Sequence, residues 1–62
     1  MITIDLSGPD GNAFVLMGYA NNLAKQMDLD RKAIVKDMMS GDYDHLLEVF
    51  ENNFGMVVRL KR

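Results

Sequence analysis

Cysteine and tryptophan are absent from these 62 residues, and proline and histidine occur once each. Without cysteine the chain has no disulfide, no thiolate metal site and no thiol nucleophile. One histidine does not make a histidine-rich metal centre, so no metal or cofactor is expected. Charge is not in excess either. Seven Lys and Arg against nine Asp and Glu leave a formal net charge of −2, whereas general nucleic-acid binding wants a basic surface. No apolar run approaches the roughly 20 residues of a membrane span. Residues 1–5 have no basic region ahead of an apolar stretch, so no signal peptide is expected. The chain reads as cytoplasmic, with neither nucleic acid nor membrane as a partner.

What is present is the make-up of a globular domain: 48% hydrophobic and 26% charged residues. Residues 1–62 read as one small α+β domain. Folding such a chain buries apolar surface worth on the order of 90 kcal/mol at about 25 cal/mol/Å². Ordering it costs about 1.5 kcal/mol per residue, also on the order of 90 kcal/mol. The near-cancellation makes a lone chain marginal. Small chains escape through disulfides, metals or association. With the first two removed, a homo-oligomer, most simply a dimer, is expected.

Hydrophobic periodicity sets the elements. Ile2, Ile4 and Leu6 alternate with Thr3, Asp5 and Ser7, which predicts a half-buried strand over 1–6. Ser7-Gly8-Pro9-Asp10-Gly11-Asn12 breaks it with turn-forming residues. Ala13, Leu16, Met17, Ala20, Leu23, Ala24 and Met27 recur at helical spacing over 12–27, with Asp10 or Asn12 as the cap. Phe14, Val15 and Tyr19 lie off that stripe, so this helix faces two neighbours, a sheet and a second chain. Gly18, mid-helix, suggests close packing. A second helix is predicted over 31–39 behind Asp30, with Ala33, Ile34, Val35, Met38 and Met39 on one broad side, and Gly41 suits a left-handed end position. Asp42 caps a third helix over 43–53, whose stripe is Tyr43, Leu46, Leu47, Phe50 and Phe54. Met56, Val58 and Leu60 alternate with Val57, Arg59 and Lys61 in a second strand. The expected architecture is β-α-α-α-β, the terminal strands paired antiparallel, with three helices on one face and Asp5 opposite Arg59 or Lys61. Its two open sheet edges invite other strands.

Chemistry-bearing residues are few. Gly8, Asp10, Gly11 and Asn12 precede a helix N-terminus, where backbone N–H groups can hold a phosphate. The run matches neither phosphate-loop pattern and has no lysine beside it, so a plain strand-to-helix turn is the simpler reading. Asp28, Asp30, Asp42 and Asp44 lack the spacing and central Gly of a calcium loop. His45 has no nucleophile context and reads as a solvated side chain. From Asp37 to Glu51 there are five acids and no Lys or Arg. Asp44, Glu48 and Glu51 form one stripe, read as a solvated face or as a docking surface for a basic protein, even a DNA mimic. Six methionines are many for this length. Most suit a core, and the Met38-Met39 pair next to Ser40-Gly41 suits a contact surface. The basic end Arg59-Leu60-Lys61-Arg62 protects a strand edge.

The opening run from Met1 to Phe14, the stretch Met38-Met39-Ser40-Gly41-Asp42-Tyr43 and the pair Phe54-Gly55 resemble short uncharacterised proteins of tailed bacteriophages. The resemblance implies an accessory protein of the host cytoplasm that acts by binding a host or phage protein. It carries over no site residues. The residues themselves predict a non-enzymatic protein-interaction module. The alternatives are a phosphate or nucleotide binder at Gly8–Asn12 and a DNA mimic on the acidic helix.

Overall fold

A computed structural model describes residues 2–61. Met1 of the expected first strand and Arg62 of the basic end lie outside them. The order is β1 (Ile2–Asp5), a 3-10 turn at Pro9–Gly11, α1 (Ala13–Gln26), α2 (Arg31–Met38), α3 (Tyr43–Phe54) and β2 (Val58–Lys61). Each helix begins at a side-chain cap. Asn12 Oδ1 accepts from the Phe14 N–H at 2.7 Å, Asp30 from Ala33 at 3.1 Å and Asp42 from His45 at 2.9 Å. These bonds satisfy N–H groups that a helix start otherwise leaves without a partner.

Helix α1 ends in a Schellman motif. The Asp28 N–H reaches the Lys25 carbonyl at 3.4 Å and the Leu29 N–H reaches the Ala24 carbonyl at 2.8 Å. Asp28 therefore takes the left-handed backbone, at φ 58°. Gly41 does not, contrary to expectation, because no glycine has positive φ among the described residues. Its missing side chain matters for space. A β-carbon on residue 41 would lie 2.8 Å from both Cβ and Cγ of His45.

The strands pair in parallel, with Ile2 beside Val58, Thr3 beside Arg59, Ile4 beside Leu60 and Asp5 beside Lys61. This corrects the antiparallel expectation. Parallel partners need a long crossover, which the three helices between them supply. An odd number of helices, reversing at each short loop, brings the chain back to the end of the sheet where β1 began, so β2 runs in the same direction. Asp5 does meet Lys61, as expected. The second correction concerns the helix layer: α3 is the helix whose backbone runs close to a strand, β2, while α2 packs on α1 and α3.

Ile4 and Val58 close one side of the core. Leu16, Ala20, Leu23 and Ala24 of α1, Met38 of α2, and Leu46, Leu47, Val49, Phe50 and Phe54 of α3 fill it. Phe50 and Phe54 meet edge to face at 5.2 Å. The accessible surface is 4272 Å², close to the roughly 4,000 Å² that size scaling gives for a folded chain of this mass. A single copy thus closes its own interior. The apolar surface left for a partner to cover is that of the large side chains outside the core. No helix among the described residues is long and apolar enough to cross a membrane.

Candidate interaction surface

Helix α1 carries apolar residues beyond its core stripe. Phe14, in the first turn, is 80% exposed, and Met39, just past α2, is 66% exposed. Tyr43, expected in the buried stripe of α3, is 40% exposed. Its hydroxyl donates to the Gly11 carbonyl, tying the start of α3 to the turn before α1. Together with Met17, these side chains edge a shallow cleft of about 290 Å³. The side chains form an apolar strip across one end of the three helices.

Met17 and Met39 also line a larger groove of about 960 Å³ between α1 and α2. Gly18 and Asn21 form one wall. Val35 contributes apolar floor, and Arg31, Lys32 and Lys36 stand around it. The one ion pair among the described residues is His45 with Asp37. These three cations therefore have no acidic partner within salt-bridge distance. Gly18 is not the close-packing point its sequence position suggested. A β-carbon there would meet nothing within 4 Å.

The structure divides the expected Met38-Met39 pair. Met38 is buried at 1% exposure and belongs to the core, so only Met39 is available to a partner. Helix periodicity explains the split, since consecutive residues point about 100° apart. Asp44, Glu48 and Glu51 are all exposed on α3, on the outer side from Leu46, Leu47 and Phe50. They make one acidic row.

In the turn at Gly8, Asp10, Gly11 and Asn12 both glycine N–H groups are used within the chain. The Gly8 N–H bonds the Asp5 carbonyl at 3.3 Å, and the Gly11 N–H bonds the Gly8 carbonyl at 3.1 Å. Asn12 occupies the helix start with its own oxygen. A β-carbon at Gly11 would fall 2.0 Å from the Leu6 carbonyl oxygen, so this glycine serves loop closure. Asp5 accepts from both the hydroxyl and the N–H of Ser7, at 2.6 and 2.9 Å. These bonds, the hydroxyl first, hold its carboxyl below the ordinary value, with a smaller contribution from Lys61. The turn carries carboxylates and no cation of its own.

His45 is partnered rather than merely solvated. Its Nε2 lies 3.0 Å from the Asp37 carbonyl oxygen, 3.1 Å from Asp37 Oδ1 and 3.2 Å from Ser40 Oγ. Asp37 offers only acceptors, so Nε2 carries the proton. The Asp37 carboxylate raises the imidazole pKa above its ordinary value, against a partial desolvation. A serine, a histidine and an aspartate within one contact invite comparison with a hydrolytic triad. In a triad the serine and the acid meet opposite ring nitrogens. Here both reach Nε2, and Ser40 Oγ donates to the Asp37 carbonyl at 2.6 Å. The group works as a clip between the end of α2 and the start of α3.

Phe14 and Met39 of the strip were each expected at a contact surface, but their meeting with Tyr43, and the basic groove, were not. The signals in the sequence were Phe14 standing off the α1 stripe and Arg31, Lys32 and Lys36 gathered on α2. Searches against protein-family models, curated proteins and solved structures find no match for this chain, so the phage resemblance rests on the quoted residues alone.

Proposed function

We propose that the chain is a non-enzymatic protein-interaction module that self-associates through the strip of Phe14, Met39 and Tyr43. The observation that carries this is the 80% exposure of Phe14 in a chain whose core is otherwise closed. A bare phenylalanine beside a bare methionine leaves apolar area in water, and covering it is favourable at about 25 cal/mol/Å². The strip also suits a two-fold contact, in which the same patch is used on both copies and the residues at the axis meet their own counterparts. Apart from Asp42, which caps α3, the residues lining the strip's cleft are uncharged. Like charges are therefore few across such an axis. Extension of the sheet is the weaker route. Both strands are four residues long and turn Thr3, Asp5, Arg59 and Lys61 to solvent, and short charged edges resist pairing.

Sedimentation velocity from micromolar to millimolar concentration tests the reading. Association that rises with concentration, and that Phe14→Asp with Met39→Asp abolishes at unchanged circular dichroism, is the expected result. A strict monomer at every concentration contradicts it.

A further inference from the structure

We infer that the groove between α1 and α2 receives an acidic amphipathic helix from a different protein. This rests on the reading above that this end of the molecule binds protein. Two independent observations converge on the groove. The first is chemical: an apolar floor of Met17, Val35 and Met39 lies beside Arg31, Lys32 and Lys36, none of them paired with an acid. Such a site matches a segment that presents apolar side chains flanked by carboxylates. The second is steric. Gly18 sits mid-helix at a cost of about 1 kcal/mol against Ala, yet nothing within the chain uses the space above it. The room is left for an element from outside, close against the α1 backbone.

A second copy of this chain does not fit as the occupant. Its acidic row of Asp44, Glu48 and Glu51 lies on α3, and the apolar face of that helix is closed into its own core. It offers carboxylates without the apolar side chains the floor requires. A nucleic acid meets the cations but leaves the methionines and Val35 facing phosphate and sugar. Along α2 the groove runs from Arg31 to Ser40, a length that a helix of about three turns spans at about 1.5 Å per residue.

The test uses two synthetic helical peptides with the same leucine stripe, one flanked by glutamates and one by lysines, and a single-stranded oligonucleotide. Each is titrated into the full chain at low salt, with amide shifts recorded. The glutamate peptide is expected to bind at least about tenfold tighter than the lysine peptide and to weaken in high salt. Its shifts should centre on Gly18, Arg31, Val35 and Lys36. A β-carbon at residue 18 meets nothing within 4 Å, so Gly18→Leu is expected to leave circular dichroism and self-association unchanged and to lower the peptide's affinity about tenfold or more through steric exclusion. Lys32→Glu with Lys36→Glu should do the same. Equal binding of both peptides, tighter binding of the oligonucleotide, or full affinity in Gly18→Leu overturns the inference. If the glutamate peptide fails while association through Phe14 persists, this inference falls and the proposed function stands. If neither occurs, both fall.

Discussion

Asp28 stands where a helix ending in a Schellman motif usually has glycine, with φ at 58°. A non-glycine residue there carries a steric cost, and an acid at a helix C-terminus opposes the dipole. Asp28→Gly is expected to raise stability by about 0.5–1 kcal/mol, read as a higher urea midpoint. Gly41 gives the opposite sign. Alanine there would press on His45, so Gly41→Ala should destabilise by about 1–3 kcal/mol. His45 adds a pH dependence. Its raised pKa means that the clip with Asp37 contributes stability that is full below the imidazole's ordinary value of about 6.5. The contribution is lost as pH rises through the raised folded value. His45→Gln should flatten the fall of the urea midpoint as pH rises above about 6.5. Asp5 works in the other direction, adding stability above its ordinary value that disappears as pH falls through its lowered one. None of these residue-level features was legible in the sequence. Asp28 looked like part of a break, and His45 meets Asp37 only because the 40–42 turn folds back.

At the scale of elements, local rules carried most of the information. Asn12, Asp30 and Asp42 were readable as caps because each precedes an apolar-periodic run, and all three accept the bond that role requires. Of the stripes read from periodicity, Leu16, Ala20, Leu23 and Ala24 and Leu46, Leu47, Phe50 and Phe54 are buried, whereas Met27 and Tyr43 at their ends are exposed. Strand direction was not readable, because alternation in β1 and β2 is the same for either pairing and only the helix path decides. Met56 shows a related limit. It shares the alternation of Val58 and Leu60 but lies in the turn before β2, 89% exposed. The cap can be probed directly. Asp42→Ala should cost about 1 kcal/mol, since it frees the His45 N–H that the carboxylate accepts. Gly18→Ala should instead stabilise α1 by about 1 kcal/mol, because the added methyl meets only solvent. Thermal unfolding followed at 222 nm reads both as shifts of about 4–8 °C per kcal/mol in opposite directions.

For the molecule as a whole, the balance of burial against chain entropy pointed to association, and the structure relocates the reason. The interior is complete in one copy, with a Cα radius of gyration of 10.5 Å, the size expected near 10–11 Å for this length. What remains outside is a set of large apolar side chains at two places. Phe14, Met39 and Tyr43 stand at the helical end, and Ile2, Met27 and Met56 edge a separate cleft of about 350 Å³ beside the strands. The first lies against a groove with unpaired cations, which is why we place the working surface there. Periodicity set Phe14 off the stripe that holds Leu16, but whether another part of the chain covers Phe14 depends on the path of α2. The most direct measurement is an amide-resolved dilution series of the intact chain by NMR, from millimolar to low micromolar. The account expects shifts that change with concentration at Phe14, Met17, Met39 and Tyr43 and stay fixed at Thr3 and Arg59. Spectra that do not change, or changes confined to Ile2, Met27 and Met56, would contradict it.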